Sequence, residues 1–440
     1  MVTAVTAIGA AHEATVAATL GQTAGVRLAR RCADVADLLA VCSAGRADVA
    51  VVSADFPALD RSAIAAVRAS GTGLIGVHQR GDTEEEGVLG QWGVHTRLPI
   101  DATPTEFAAA AAAAAEEASG ADDATPDAAA SLESELAMMA GGGAPYAPHN
   151  PFLDPGPDQV PAPALAAVVV VWGPAGAPGR TTVAVNLAAE AARLGVPTVL
   201  VDADTHAASV AQHLALLDEA PGVAAATRLA DAGHLDLRSL AAAAPEVTPG
   251  LRVLTGLPRA DRWPEVRDDA LAAVLEQCRQ LARLVVVDVA APLEEDEELS
   301  YDTVAPRRNA ATLSALRTAT TVLAVGSADP VGLQRLVRGV DELRAVVPEP
   351  PIVVANKVRA SAVGATPEHR VAEALQRFAG VRAVRMIPDD RAACDAALLA
   401  GRVLAEQAAG SAARKGILAL AAEVTGVTAT SRRSWFTGRR

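Results

Sequence analysis

The sequence predicts an α/β protein made of two units, each built on a parallel or mostly parallel sheet. Two observations carry this. Short Val/Leu/Ile runs alternate with Ala-rich segments of helical spacing, and they do so twice along the chain. Between the two series lies a stretch rich in Pro and Gly and free of Lys and Arg.

In the first unit, residues 1–119, strands are expected over 2–8, 26–28, 49–53, 73–77 and 94–98, with helices between them. Five strands in alternation with helices fit a small parallel α/β sandwich. The stretch 120–163 contains Gly141-Gly142-Gly143 and many prolines. It buries too little apolar surface to offset chain entropy and reads as a disordered linker. The second unit, 164–426, has strand candidates over 168–172, 198–202, 251–255, 284–288, 321–325, 352–356 and 384–387. These runs are continuously apolar, as strands buried on both faces are. Residues 411–424 read as a closing helix. The last stretch, 427–440, is a basic tail with Arg432, Arg433, Arg439 and Arg440.

Composition removes several classes. At 440 residues two or three domains are expected, and 51% hydrophobic residues suffice for full cores. No apolar run reaches the roughly 18 residues of a membrane span. No basic stretch followed by an apolar core marks a signal peptide. Cys32, Cys42, Cys278 and Cys394 are scattered, without CxxC or His pairing. That speaks against a zinc site or a disulfide framework and for a reducing cytoplasm. The formal net charge of -14 disfavours non-specific nucleic-acid binding by the whole chain. Of 38 basic residues only Lys357 and Lys415 are lysines, so a position where chemistry favours lysine over arginine is informative.

One segment carries most of the chemistry. The strand 168–172 runs into Gly173-Pro-Ala-Gly176-Ala-Pro-Gly179-Arg180-Thr181-Thr182, and a helix starts at Gly179. Glycines let backbone N–H groups approach a phosphate, and the helix N-terminus adds partial positive charge. The Gly-Arg-Thr-Thr step stands where a phosphate loop has Gly-Lys-Ser/Thr. Thr181 then coordinates Mg²⁺, and Thr182 caps the helix or touches a phosphate. A dinucleotide fingerprint is the first alternative, because Asp202 ends the next strand. However, the glycines give GxxGxxG, and that reading leaves the threonine pair unexplained. A tight turn without ligand is the second.

The run 168–204 resembles the ParA/MinD family of deviant P-loop ATPases, whose pattern is a lysine, two glycines, one residue, then Gly-Lys-Thr-Thr and a helix opening Val-Ala-Val-Asn-Leu-Ala. The resemblance implies a mostly parallel P-loop NTPase fold, ATP and Mg²⁺ as ligands, and a nucleotide-dependent homodimer. Carried over residue by residue, it puts Gly173, Gly176, Gly179, Arg180, Thr181 and Thr182 on the phosphates. Asp204 polarises the attacking water, with Arg180 beside it in catalysis. Asp202 and Asp288 support the magnesium, Asp288 as the Walker B carboxylate. Asn356 contacts adenine, and Pro388 and Asp389 belong to a base-side loop.

Two positions depart from that pattern: the loop lysine is Arg180, and the family's second lysine aligns with Ala175. Phosphoryl transfer rests on electrostatic stabilisation, so slow hydrolysis is expected, with a non-hydrolysing scaffold as the alternative. Residues 294–298 form an acidic run, followed by Tyr301-Asp302 and Arg307-Arg308-Asn309. They occupy the region that answers to the γ-phosphate in relatives. The acidic run reads as solvated, while Arg307 or Arg308 is a candidate replacement for the missing lysine, in cis or across a dimer. His206 and His213, seven residues apart, read as one helix face.

The pattern 48–57 resembles the third strand of response-regulator receivers, with Ser53 where the phosphorylated aspartate stands. Gly9, Ala10 and Ala11 replace the acidic pair, and Leu98-Pro99 replaces Lys-Pro. A flavodoxin-like pseudo-receiver used for docking or dimerisation is expected, with Asp55 as a weaker acceptor candidate. A degenerate receiver joined by a linker to a ParA/MinD-like ATPase resembles the CpaE family, especially its actinobacterial or septum-site-determining members. That implies positioning of Tad-type pilus, secretion, division or chromosome-partitioning components from the cytoplasm, at the inner membrane face of pole or septum. No sequence-specific nucleic acid is expected. Arginines beside Trp435 and Phe436 suit a weak contact of 431–440 with anionic lipid.

Overall fold

In the computed structural model the apolar runs of the first unit form five strands: β1 (Val2–Ala7), β2 (Val26–Arg31), β3 (Val49–Ser53), β4 (Gly73–His78) and β5 (Thr96–Pro99). The structure describes residues 1–120, 166–176, 178–216, 221–295 and 306–427. They divide between two compact units. The expected linker beyond Gly120, the tail beyond Val427, and residues 296–305 of the acidic region lie outside the described residues.

All pairings in the first sheet are parallel, in the order β2-β1-β3-β4-β5. This is the flavodoxin-like order. Five helices alternate with the strands: α1 (Glu13–Gln22), α2 (Val35–Ser43), α3 (Arg61–Ala69), α4 (Thr83–Gln91) and α5 (Pro104–Gly120). One apolar core packs α2, α3 and α4 against one sheet face, and a second packs α1 and α5 against the other. Two expected boundaries move. β2 continues past Leu28 through Arg30 and Arg31, which pair with β1. As an edge strand it shows charge to solvent and loses its apolar signature. Val94 belongs to the turn before β5: its N–H bonds Leu89 O while its side chain is buried.

The second unit holds β6 (Ala167–Trp172), β7 (Thr198–Ala203), β8 (Glu246–Thr248), β9 (Leu251–Leu254), β10 (Leu284–Val289), β11 (Thr321–Ser327), β12 (Ile352–Val358) and β13 (Val384–Pro388). Their order is β13-β12-β11-β6-β10-β7-β9-β8. Seven are parallel, and β8 pairs antiparallel with β9 at the edge. The sequence reading missed β8, a three-residue strand too short to show alternation. The helices are α6 (Arg180–Arg193), α7 (Val210–His213), α8 (Gly222–Asp231), α9 (Leu237–Ala243), α10 (Asp268–Leu281), α11 (Ala310–Thr318), α12 (Pro330–Arg344), α13 (Ala360–Val363), α14 (Pro367–Ala379), α15 (Arg391–Ala400), α16 (Leu404–Gln407) and α17 (Ala412–Thr425). Separate apolar cores cover the two sheet faces. The closing helix α17 is fixed to α6 by Arg414, whose Nε lies 2.6 Å from Glu190 Oε1 in a nearly buried pair. Asn186 of α6 holds α16 in turn by accepting the Leu404 N–H at 2.7 Å.

Candidate functional site

β6 ends at Trp172, and the chain turns through Gly173 and Gly179 into α6. Gly179 is the N-cap of α6, with φ +96, and Asn356 Nδ2 stands where a side chain would project. Both conditions require glycine there. The first turn of α6 leaves N–H groups without helical partners and carries the positive end of the helix dipole. That turn opens onto a cavity of about 730 Å³.

Around this cavity the fold gathers Gly179, Arg180, Thr181, Thr182, Asp204, Asn356, Pro388 and Asp389. These come from the ends of β6, β7, β12 and β13, the carboxyl edge where parallel α/β sheets bind ligands. Gly173 and Gly176 do not line it. Gly173 backs onto Val325 of β11, and Gly176 faces Arg335. Beneath the loop, Asp288 and Asp202 are register partners on adjacent strands.

Thr181 Oγ1 donates to Asp288 Oδ2 at 2.6 Å, and Ser209 Oγ donates to Thr181 Oγ1 at 3.3 Å. Asp202 is anchored by backbone N–H groups: Oδ1 accepts from Asp204, Oδ2 from Ser209 and Val210. Burial pushes the carboxyls of Asp202 and Asp288 above the usual range. For Asp202 the Val210 N–H opposes this, and for Asp288 the neighbouring Asp202 adds to it. Asp204 Oδ1 accepts from the N–H groups of His206 and Ala207, while its Oδ2 stands 3.5 Å from Arg180 Nη2. Arg180 Nη1 donates to Gly173 O at 2.9 Å.

Two buried polar atoms here have no hydrogen-bond partner, Arg180 Nε and Asp288 Oδ1. Buried groups left unpaired cost free energy, so an orphaned donor and an orphaned acceptor at one site call for a ligand. A phosphate oxygen suits the first and a hydrated magnesium ion the second. Among the described residues no three His, Cys, Asp or Glu side chains gather into a metal cage. Magnesium holds few protein ligands and keeps its water, so Thr181 and Asp288 are a sufficient set.

The base end contains Asn356, whose Nδ2 donates to Pro178 O at 2.8 Å and whose Oδ1 accepts the Lys357 N–H. Its amide therefore braces the phosphate loop. Asp389 lies 3.7 Å from Arg359. Asp390 caps α15, and the Ser411 hydroxyl holds its carboxyl below the usual range. Sequence reasoning missed Arg359, Arg391 and Arg402 on this wall. Arginines in an arginine-rich chain carry no local signal.

One expectation changes. His206 and His213 do not share a helix face: His206 sits in the turn after β7, and the helix begins only at Val210, where Asp202 anchors its first N–H groups. Arg307 is bound to Asp268 at 2.9 Å. Arg308 donates to Thr205 Oγ1 and lies over the Trp263 ring. Neither arginine lines the cavity. In the first unit, Ser53 Oγ accepts the Gly9 N–H and donates to Asp55, whose carboxylate fills the space above Gly9.

Residues 169–399 match the family described as the CobQ/CobB/MinD/ParA nucleotide binding domain. No curated protein matches the chain. Similar solved structures include a ParA family ATPase from Chlorobium tepidum TLS, 15% identical, covering 58% of this chain and 98% of that one, TM-score 0.48. The cell division ATPase MinD of Pyrococcus furiosus is 18% identical, covering 60% and 100%, TM-score 0.47. The septum site-determining protein MinD of Pyrococcus horikoshii OT3, complexed with Mg-ADP, is 18% identical, covering 59% and 96%, TM-score 0.46.

Proposed function

Because the chain belongs to the CobQ/CobB/MinD/ParA nucleotide-binding domain family, we propose that it binds ATP with Mg²⁺ at the cavity above α6 and turns it over slowly. The observation that carries the reading is the pair of orphaned buried atoms, Arg180 Nε and Asp288 Oδ1, the latter on the carboxylate that accepts the Thr181 hydroxyl. In this reading the α6 N-terminus and Arg180 hold the phosphates. Thr181 and Asp288 would hold the magnesium, supported by Asp202 on the adjacent strand, and the ion would supply charge neutralisation at the terminal phosphates. Asp202 stiffens the loop that carries Asp204. Asn356 keeps Gly179 in place, and Pro388 and Asp389 border the base.

Slow turnover follows from Arg180. Its guanidinium is held by Gly173 O and faces Asp204. Binding a phosphate exchanges the Asp204 ion pair for another charge-assisted contact, to the phosphate. Asp204 is then released to take a proton-sharing hydrogen bond from the attacking water. Each turnover must therefore break and restore an ion pair. The same pairing supports a second reading, a scaffold that binds ATP without hydrolysing it.

The biological role is read from the domain order. A first unit with Ser53 and Gly9 in place of receiver carboxylates serves docking or dimerisation. The second unit responds to ATP by self-association. Such a protein positions pilus, secretion, septum or partitioning components, as CpaE-like proteins do. Among the described residues no helix is long and apolar enough to cross a membrane. A weak contact of 431–440 with anionic lipid is supported by arginines beside Trp435 and Phe436.

The test is phosphate release by the purified chain beside Asp204→Ala. Measurable turnover that falls at least about tenfold in the variant is expected. Turnover untouched by the variant contradicts the role of Asp204, and no turnover with retained ATP binding selects the scaffold.

A further inference from the structure

The outer rim of the phosphate loop carries a second arginine that no motif announces. Arg335 lies on α12, and its Nη1 donates to Ala175 O at 3.3 Å. Gly176, at φ +113, leaves the space that this guanidinium fills, and any side chain there would collide with Nη1. The positive φ selects glycine at 176, whereas the guanidinium, the far end of an exposed side chain, is free to move aside. The arginine and the loop thus fit each other, although 160 residues separate them.

Three features mark Arg335 as a cation held ready for a ligand. Its side chain is exposed, and among the described residues no carboxylate is paired with it. Its one bond to the loop is long and runs to a neutral carbonyl, so little is lost when it is exchanged. α12 places it firmly: Asp329 caps the helix by accepting the Gly332 N–H, and Leu336, Val340 and Leu343 are buried in the core. Arg180 differs in each respect, being mostly buried, bound to Gly173 O and facing Asp204.

Pro174, Ala175, Gly176, Asp329 and Arg335 line a small hollow of about 70 Å³ that shares Pro178 with the wall of the large cavity. A terminal phosphate carries the charge that distinguishes a triphosphate from a diphosphate, and a guanidinium can bind it through two parallel N–H groups. We propose that Arg335 is the residue through which the loop recognises the terminal phosphate of ATP. It thereby supplies the cation that Ala175 does not. This rests on the nucleotide reading above.

The experiment uses the full chain and the variants Arg335→Ala, Arg335→Lys and Arg338→Ala, the last an exposed arginine of the same helix that does not line the hollow and is expected to behave as wild type. ATP and ADP affinities are measured by calorimetry below the concentration of self-association, and ATP-driven self-association by sedimentation. Arg335→Ala is expected to keep ADP affinity and to lose ATP preference or ATP-driven association by at least about tenfold, with Arg335→Lys partly restoring it. A loss in monomer affinity places the contact within one chain, and a loss in association alone places it across two copies. If both measurements are unchanged, or ADP affinity falls equally, the role of Arg335 is overturned while ATP binding stands. If the wild-type chain binds no ATP, the nucleotide reading fails, and this inference fails with it.

Discussion

Asp288 is fully buried, one of its oxygens has a hydroxyl partner, and the other has none. Such a carboxylate is kept at a cost in folding free energy. Asp288→Asn should therefore raise the thermal stability of the nucleotide-free chain by about 1–2 kcal/mol. It should also remove the Mg²⁺-dependent part of ATP binding. Melting curves with and without Mg²⁺-ATP check both, and a variant that is destabilised yet still Mg²⁺-dependent would contradict the assignment. At this scale the loop was legible in the sequence wherever chemistry is local. Gly179 at the N-cap of α6 and the hydroxyl of Thr181 stand where the loop's own backbone sets them. Asn356 was legible as a position, but its bond to Pro178 O was not. Arg335 was invisible, because its role depends on where α12 docks.

α12 is the element that makes Arg335 available, and its N-cap reports on it. The Ser327 hydroxyl and the Gly332 N–H hold the Asp329 carboxyl below its ordinary value of 3.8. A depressed acid contributes stability that is complete above the ordinary value and lost as pH falls through the folded one. Asp329→Ala should cost about 1 kcal/mol at pH 7, with the difference shrinking once the pH drops below 3.8. Denaturant titrations of both chains from neutral to acid pH measure this, and a pH-independent gap would show that the cap acts without its charge. The buried central strands were legible because continuous Val/Leu/Ile runs have few other readings. The edges were not. β2 hides its last residues behind arginines, β8 is too short, and β5 starts after Val94, whose burial mimics a strand residue. The helix expected to carry His206 and His213 failed because Asp202 delays its start to Val210.

At the scale of the molecule, two αβ units follow from the alternation of apolar runs, each with a core on both faces of its sheet. The family is carried by residues 169–399, where motif, strand order and cavity agree. The first unit's strands were legible from its apolar runs, and the docking role proposed for it rests on Gly9 and Ser53 standing where receivers carry carboxylates. The central claim concerns the second unit, and titration calorimetry of the full chain and of Arg180→Ala with ATP, ADP and NAD in the presence of Mg²⁺ tests it most directly. The account predicts that ATP binds, that Arg180→Ala weakens it by about tenfold or more, and that NAD gives no heat. Binding of NAD in place of ATP, or ATP affinity indifferent to Arg180→Ala, would contradict it.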